Sequence, residues 1–242
     1  MSFGAGGELT LSSVRAHWNR VASGYDEHNL DMGVTHFQRF AEALRHLELR
    51  PGLRVVDVFA RTANASRFVL EACAELHYVG VELAERMLRV ARRKYPDREL
   101  VHASPHELPF VAASFDRVLS LETLEHVPEP ARFLGELRRV LRSDGRLVLS
   151  TPPATAEPLV RIADTLQMHH GEGPRRFLPS GAVKDLLRQA GFRLVLHRGT
   201  VLIPFGPGWL RRWGLRWLDE RAAGTPFAEL GIRQFYVATV AG

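Results

Sequence analysis

A single cysteine, Cys73, stands in 242 residues, so no internal disulfide can form. The N-terminus lacks the basic and apolar regions of a signal peptide, and a reducing, cytoplasmic setting is expected. No apolar run approaches the roughly 18 residues of a membrane-spanning helix, which predicts a soluble protein and leaves only surface attachment to a membrane open. Long basic blocks are also missing. Lys and Arg number 32 against 27 Asp and Glu, and the net +5 is spread along the chain, a pattern that argues against nucleic acid as a partner. There is no internal repeat and no low-complexity tract. Glycine is scarce in one place where it matters, the loop that follows the first apolar strand.

What is present begins with enough apolar content, 45%, to bury a core in one large domain with a lid. The stretch from Leu53 to Leu83 reads strand, tight loop, helix, strand. Val55, Val56, Val58 and Phe59 form an apolar run, Phe68, Val69 and Cys73 carry helical spacing, and Tyr78 to Val81 is a second strand. This is one right-handed βαβ unit. Glu82 closes it, about 20 residues beyond the loop, where nucleotide-binding folds set a carboxylate on ribose hydroxyls. A solvated strand-end acid is the other reading of Glu82. Folds of this kind use loop glycines so that backbone amides can approach a ligand. Here Phe59, Arg61 and Ala63 occupy that loop.

Upstream, Ser12 and Ser13 are expected to cap a helix through Val14, Trp18 and Val21 that ends near Gly24, and Phe37 to Leu47 has helical spacing up to Pro51-Gly52. Downstream, a helix around Met87, Leu88 and Ala91 stops at Tyr95-Pro96, and Leu100 to Ala103 is a third strand. Phe115 to Leu121 is a fourth strand, Pro130 to Leu141 a helix, Ser143-Asp144-Gly145 a turn and Arg146 to Ser150 a fifth strand. Strands that alternate with helices predict a parallel, doubly wound α/β sheet. The alternation breaks over residues 151–179, with a short helix around Leu159 to Met168 and the run His169-His170-Gly171-Glu172-Gly173, and again over 203–225; both read as lid or substrate-side insertions. A helix from Ser180 to Ala190-Gly191, a sixth strand from Phe192 to Leu196 and a last one from Arg233 to Val240 complete the chain. Residues 1–50 form N-terminal helices, and 1–242 reads as a single domain.

Several blocks agree with one family when taken together: Trp18-Asn19-Arg20-Val21-Ala22 with Tyr25-Asp26; Gly80-Val81-Glu82; Glu107-Leu108-Pro109-Phe110 with Ser114-Phe115-Asp116; Leu124-Glu125-His126-Val127-Pro128; Leu137 to Leu141 with Gly145-Arg146-Leu147; and Ala190-Gly191-Phe192. From about Trp18 to Gly191 the chain resembles class I S-adenosylmethionine-dependent methyltransferases of the small-molecule kind, close to those of ubiquinone and menaquinone biosynthesis. The resemblance implies a seven-stranded, mostly parallel, Rossmann-like sheet with an antiparallel last strand, and S-adenosylmethionine as cofactor. Where the family has Asp-x-Gly-x-Gly-x-Gly, this chain has Asp57-Val58-Phe59-Ala60-Arg61-Thr62-Ala63. Where the family places an Asp toward adenine, it has Ser104. A phenylalanine needs ~150 Å² or more of burial, and a Cβ at positive φ costs roughly 1 kcal/mol or more.

Ligands of open α/β sheets bind beyond the carboxyl ends of the strands, and Phe59, Arg61, Glu82, Ser104 and Glu122 are strand-end positions that should line one crevice. With Tyr25, Asp57, Leu83 and Pro105 they make up the expected cofactor-binding set. Asp57 reads equally as a ligand contact or as an orienter of loop amides, and Tyr25 as a lid over the ligand or a packed surface tyrosine. Glu122, Glu125 and His126 would share a helical face and could hold a divalent cation. Relatives without metal use the same letters as a structural turn. His126 is the candidate general base, its ordinary pKa of about 6.5 suiting proton transfer from a hydroxyl. Trp209, Trp213 and Trp217, at helical spacing beside Arg211, Arg212 and Arg216, read first as an aromatic stripe packed on the sheet and second as an interfacial element serving a greasy substrate.

The expected function is methyl transfer from S-adenosylmethionine to a small apolar or aromatic acceptor. The alternative is a methyltransferase-fold protein that has lost the cofactor at Phe59, Arg61 and Ala63 and acts as a binding or regulatory partner. A nicotinamide-dependent oxidoreductase shares the βαβ logic but lacks its Gly-x-Gly-x-x-Gly loop. The acceptor's identity and the oligomeric state are not written in these residues.

Overall fold

The computed structural model of the chain describes residues 8–32, 34–158, 173–203, 207–223 and 225–242. Seven strands form one sheet: β1 (Arg54–Val58), β2 (His77–Glu82), β3 (Glu99–His102), β4 (Phe115–Leu121), β5 (Leu141–Thr151), β6 (Phe192–Thr200) and β7 (Arg233–Val240). Their order across the sheet is β3-β2-β1-β4-β5-β7-β6. The first five pair in parallel, and β7 runs antiparallel to both β5 and β6. Val55, Val56 and Val58 of β1 are fully buried in the middle of the sheet, as strands covered on both faces require. The helices α3 (Val34–Leu47) and α4 (Asn64–Ala72) cover one face through Phe40, Leu47 and Val69. On the other face α6 (Pro130–Val140) and α7 (Ser180–Gln189) bury Phe133, Leu137, Val183 and Leu187.

Two further helices, α1 (Leu11–Val21) and α2 (Tyr25–Met32), lie over the carboxyl ends of β1 and β2. The N-cap of α1 is Thr10, one turn earlier than Ser13, which instead completes a capping box with it. α1 is clasped to α5 (Glu85–Lys94) by Asn19, which donates to Glu85 at 2.9 Å and accepts from the Arg86 amide at 2.8 Å. Trp18 on its inner side thereby faces the loop after β1.

The turn expected at Ser143 to Gly145 is absorbed into β5. It survives as a break in pairing with β4, where Phe115 faces Leu141 and Arg117 already faces Arg146. A Cβ on Gly145 would sit 2.5 Å from Leu141 Cδ1, so the Leu141 side chain packs against bare backbone there. The sixth strand runs on to Thr200, beyond the expected Leu196, because β7 pairs with it along its length. The expected helix around Leu159 to Met168 and the pair His169-His170 lie outside the described residues. Among the described residues no helix is long and apolar enough to cross a membrane.

Candidate active site

The loop between β1 and α4 keeps a glycine backbone without glycines. Phe59, Arg61 and Ala63 have φ of 67°, 55° and 58°, the left-handed region where a Cβ costs about 1–2 kcal/mol per residue. Such strain persists only where surrounding contacts over-determine it, and those contacts are visible. The Ala60 amide donates to Val81 O at 2.9 Å and the Ala63 amide to Ala60 O at 2.8 Å. The Arg61 amide donates to Glu82 Oε2 at 2.7 Å, and the Ala84 amide to Glu82 Oε1 at 2.8 Å. Glu82, 1% exposed, thus ties the loop to the end of β2 with both carboxylate oxygens. Burial pushes its carboxyl above the usual range, against the opposing pull of Arg61 and the amides.

Among the described residues Asp57 accepts from no loop amide. It accepts from the Tyr78 hydroxyl at 2.7 Å, and burial lifts its pKa to about 6. The amide-orienting role that its position offered falls to Glu82.

Phe59 and Arg61 both point into the crevice. The Phe59 ring is buried in one cluster with Val14, Trp18, Tyr25, Leu83 and Met87. The Arg61 guanidinium carbon lies 3.8 Å from the Trp18 ring centre and 4.6 Å from that of Phe59, a cation between two aromatic faces. Its Nη1 stands 3.9 Å from Glu82 Oε2 and has no hydrogen-bond partner among the described residues. With Arg61 only 7% exposed, burial lowers the pKa of the group, while Glu82 supports its charge. A cavity of about 20 Å³ remains beside it, bordered by Tyr25, Arg39, Asp57, Phe59, Arg61 and Asn64, roughly enough for one water. Tyr25 is buried there, with Arg39 donating to its hydroxyl at 3.4 Å.

Asp26, which the spacing did not single out, locks this arrangement. It accepts from the Thr62 hydroxyl at 2.7 Å and from Asn64 Nδ2 at 2.9 Å, and pairs with Lys94. Burial works against its charge, but Lys94, Thr62 and Asn64 together hold its carboxyl below the usual range. The signal in sequence was only the acid beside Tyr25; its partners come from the β1–α4 loop, α4 and α5.

The remaining expected residues gather at the same edge of the sheet and spread along it. Ser104 and Pro105 follow β3, where the Ser104 hydroxyl accepts from the His106 amide at 3.2 Å and closes a local turn. Glu122 follows β4 with φ 54°; its Oε1 accepts from Ser150 at 2.8 Å and from Arg233 at 3.2 Å. Glu125 and His126 lie in a 3-10 turn, Leu124–His126, in place of the start of an α-helix. Glu125 accepts from Thr151 Oγ1 at 2.9 Å, and the α-helix that would have set Glu122, Glu125 and His126 on one face does not start at Glu122. Among the described residues no group of three His, Cys, Asp or Glu is arranged to hold a metal ion.

His126 is 2% exposed and sits edge-on to Trp18 with ring centres 5.3 Å apart. Burial and the nearby Arg61 cation push its pKa well below the usual range, which leaves the imidazole neutral at pH 7. Its Nδ1 lies 2.9 Å from the Pro174 carbonyl, an acceptor, which assigns the ring proton to Nδ1 and the lone pair to Nε2.

The chain as a whole has counterparts among known proteins. A family model described as a methyltransferase domain matches residues 57–149. The demethylmenaquinone methyltransferase of Clavibacter sepedonicus is 38% identical over 208 residues, covering 76% of this chain and 84% of that enzyme. The chain belongs to the class I S-adenosylmethionine-dependent methyltransferases of the quinone-biosynthesis type. The demethylmenaquinone methyltransferase of Lysinibacillus sphaericus is 32% identical over 143 residues, 56% of this chain and 60% of that one. In fold, this methyltransferase resembles a chain of the Haloferax volcanii complex between the Trm112 methyltransferase activator and a methyltransferase. The TM-score is 0.71 at 20% identity, covering 95% of this chain and 98% of that chain. A similar fit relates it to a Thermotoga maritima S-adenosylmethionine-dependent methyltransferase, with TM-score 0.66 at 21% identity over 93% and 99% of the two chains.

S-adenosylmethionine is therefore the methyltransferase's cofactor, yet the crevice as arranged does not fit it. Phe59 and Arg61 fill the space beside the loop, Trp18 closes it from α1, and both oxygens of Glu82 are already bonded to backbone amides. The arrangement described is a closed one.

Proposed function

We propose that this methyltransferase modifies a small apolar, aromatic acceptor of the quinone kind. The observation that carries the reading is the 38% identity to the Clavibacter demethylmenaquinone methyltransferase across 84% of that enzyme's length. The aromatic walls that Trp18, Tyr25 and Phe59 bring to the crevice suit a flat apolar ring as well as the cation that two of them now hold. His126 is the proposed base, neutral and with its lone pair on Nε2. A depressed pKa makes it a weak base, matched to an acidic ring hydroxyl more than to an alcohol. The alternative of a methyltransferase fold emptied of activity finds no support among the relatives, which are named as methyltransferases.

Admission of a nucleoside-sized ligand requires the Arg61 side chain to leave its place between Trp18 and Phe59. In this reading α1 and α2 lift with it, because Trp18 covers the guanidinium and Asp26 grips the loop.

The reading is tested by incubating the chain with radiolabelled S-adenosylmethionine and either a reduced demethylated naphthoquinone or a polar amine. Label is expected in the quinone product alone. Equal labelling of the amine, or none of the quinone, sinks the proposal.

A further inference from the structure

The stripe of tryptophans expected to pack on the sheet faces outward. Gly208–Trp213 (α8) continues through a π-helical stretch, Gly214–Leu218, into a last α turn, Asp219–Ala222 (α9). Trp209, Trp213 and Trp217 are 66%, 47% and 47% exposed. Positions four apart drift steadily around an α-helix. The π stretch is wider, closing with the Asp219 amide on Gly214 O, and takes back that drift. The three indoles therefore share one side. The opposite side is pinned to the body. A Cβ on Gly214 would sit 3.0 Å from Ile203 Cβ, so helix and strand extension touch there. Asp219 accepts from the Val201 and Leu202 amides at 2.7 and 3.1 Å. Glu220 pairs with Arg198 at 2.9 Å and with Arg45 at 2.6 Å.

Those contacts also decide the charge of the outer side. Both acids of the segment are held by the body, and the Arg221 guanidinium lies outward, 5.6 Å from the Trp217 ring centre. The sequence of the same segment adds Arg211, Arg212 and Arg216 and no further acid. The 3-10 turn Pro226–Leu230, packed beside α9 and β6, contributes exposed Phe227 and Leu230. Isolated exposed apolar residues need no explanation, but a row of three tryptophans flanked by arginines does. Tryptophan favours the boundary between hydrocarbon and water, and arginine favours anionic headgroups.

We infer that the Trp209–Trp213–Trp217 side of this segment is a docking surface for an anionic lipid membrane, on which the protein rests without crossing it. A second copy of the chain is the other candidate occupant; the excess of arginine along the segment disfavours self-association, since both partners would bring the same charge. The inference stands apart from the acceptor proposed above, because lipid binding is read without any methyl transfer.

The test is co-sedimentation of the full chain with vesicles of phosphatidylcholine alone or with phosphatidylglycerol added, read together with tryptophan emission. Trp18, the fourth tryptophan, is buried, so an emission shift reports the outer three. Binding at least tenfold tighter to phosphatidylglycerol vesicles is expected, weakened by salt and accompanied by a blue shift. The triple variant Trp209→Ala, Trp213→Ala, Trp217→Ala should lose it while its circular dichroism and unfolding midpoint stay near the parent's. Overturning results are no binding to either vesicle, undiminished binding by the triple variant, or a dimer in light scattering that the same variant abolishes.

Discussion

Arg61 is a long cation in a place where a shorter residue would leave a crevice. Its guanidinium is held by two rings and one buried carboxylate, so the closed form is favoured and any ligand meets only the fraction of molecules that have opened. Arg61→Ala is therefore expected to tighten S-adenosylhomocysteine binding tenfold or more by calorimetry. If Arg61 instead held the ligand, the variant would bind more weakly. Asp57 sets a pH dependence of the opposite sign to an ordinary paired carboxylate. With a folded pKa of about 6 against 3.8, the folded state keeps a proton that the unfolded chain has released. The stability it supplies is present below pH 4 and lost as pH rises through 6. Asp57→Asn keeps an acceptor for Tyr78 and removes the titration, so between pH 4 and 7 the parent should lose on the order of 2–3 kcal/mol relative to it. Parallel denaturation curves for the two proteins across that range would contradict the assignment.

At the scale of elements, α1 and α2 are the parts that the proposed opening would move. Asn19 clasps α1 to α5, and Asp26 joins α2 to the loop through Thr62 and Asn64. Asp26→Ala should cost about 1–3 kcal/mol in denaturant unfolding and raise amide exchange across residues 11–32 while leaving the β-sheet protected. Loss of stability with unchanged exchange there would mean that Asp26 is only a structural contact. The elements themselves were legible because apolar spacing reports period two or three-and-a-half directly. The Ser143-Asp144-Gly145 turn was not, since its fate depended on β4 pairing with residues on both sides of it. Nor was the direction of the tryptophan stripe, which spacing alone leaves free to face in or out. Ile203, Arg45 and Arg198 decided it by occupying the other side.

For the whole molecule, ligand binding and stability are linked. At S-adenosylhomocysteine concentrations about 100 times the dissociation constant, binding to the folded state adds about 2.7 kcal/mol, a rise in melting temperature of roughly 5–10 °C for a chain of this size. A melting temperature that does not move at millimolar ligand would mean that the crevice stays shut. The layering behind this behaviour is that of open α/β folds: a central parallel sheet, helices on both faces, and a ligand edge at the carboxyl ends of β1, β2 and β4. Phe59 and Glu122 directly follow β1 and β4, and Glu82 closes β2, at that edge.

The sequence by itself determined the sheet, its alternation with helices, and the place of the ligand edge, because hydrophobic period and family-like blocks act locally and add along the chain. It also exposed the missing glycines. Only the tertiary structure decided what filled their place. Trp18 and Asp26 arrive from helices far away in sequence, and their contacts hold three residues in a strained backbone, turn Arg61 inward and leave Glu82 bonded to its own loop. A side chain's destination is set by neighbours that no local pattern encodes, and in this protein those neighbours close the site that the pattern announces.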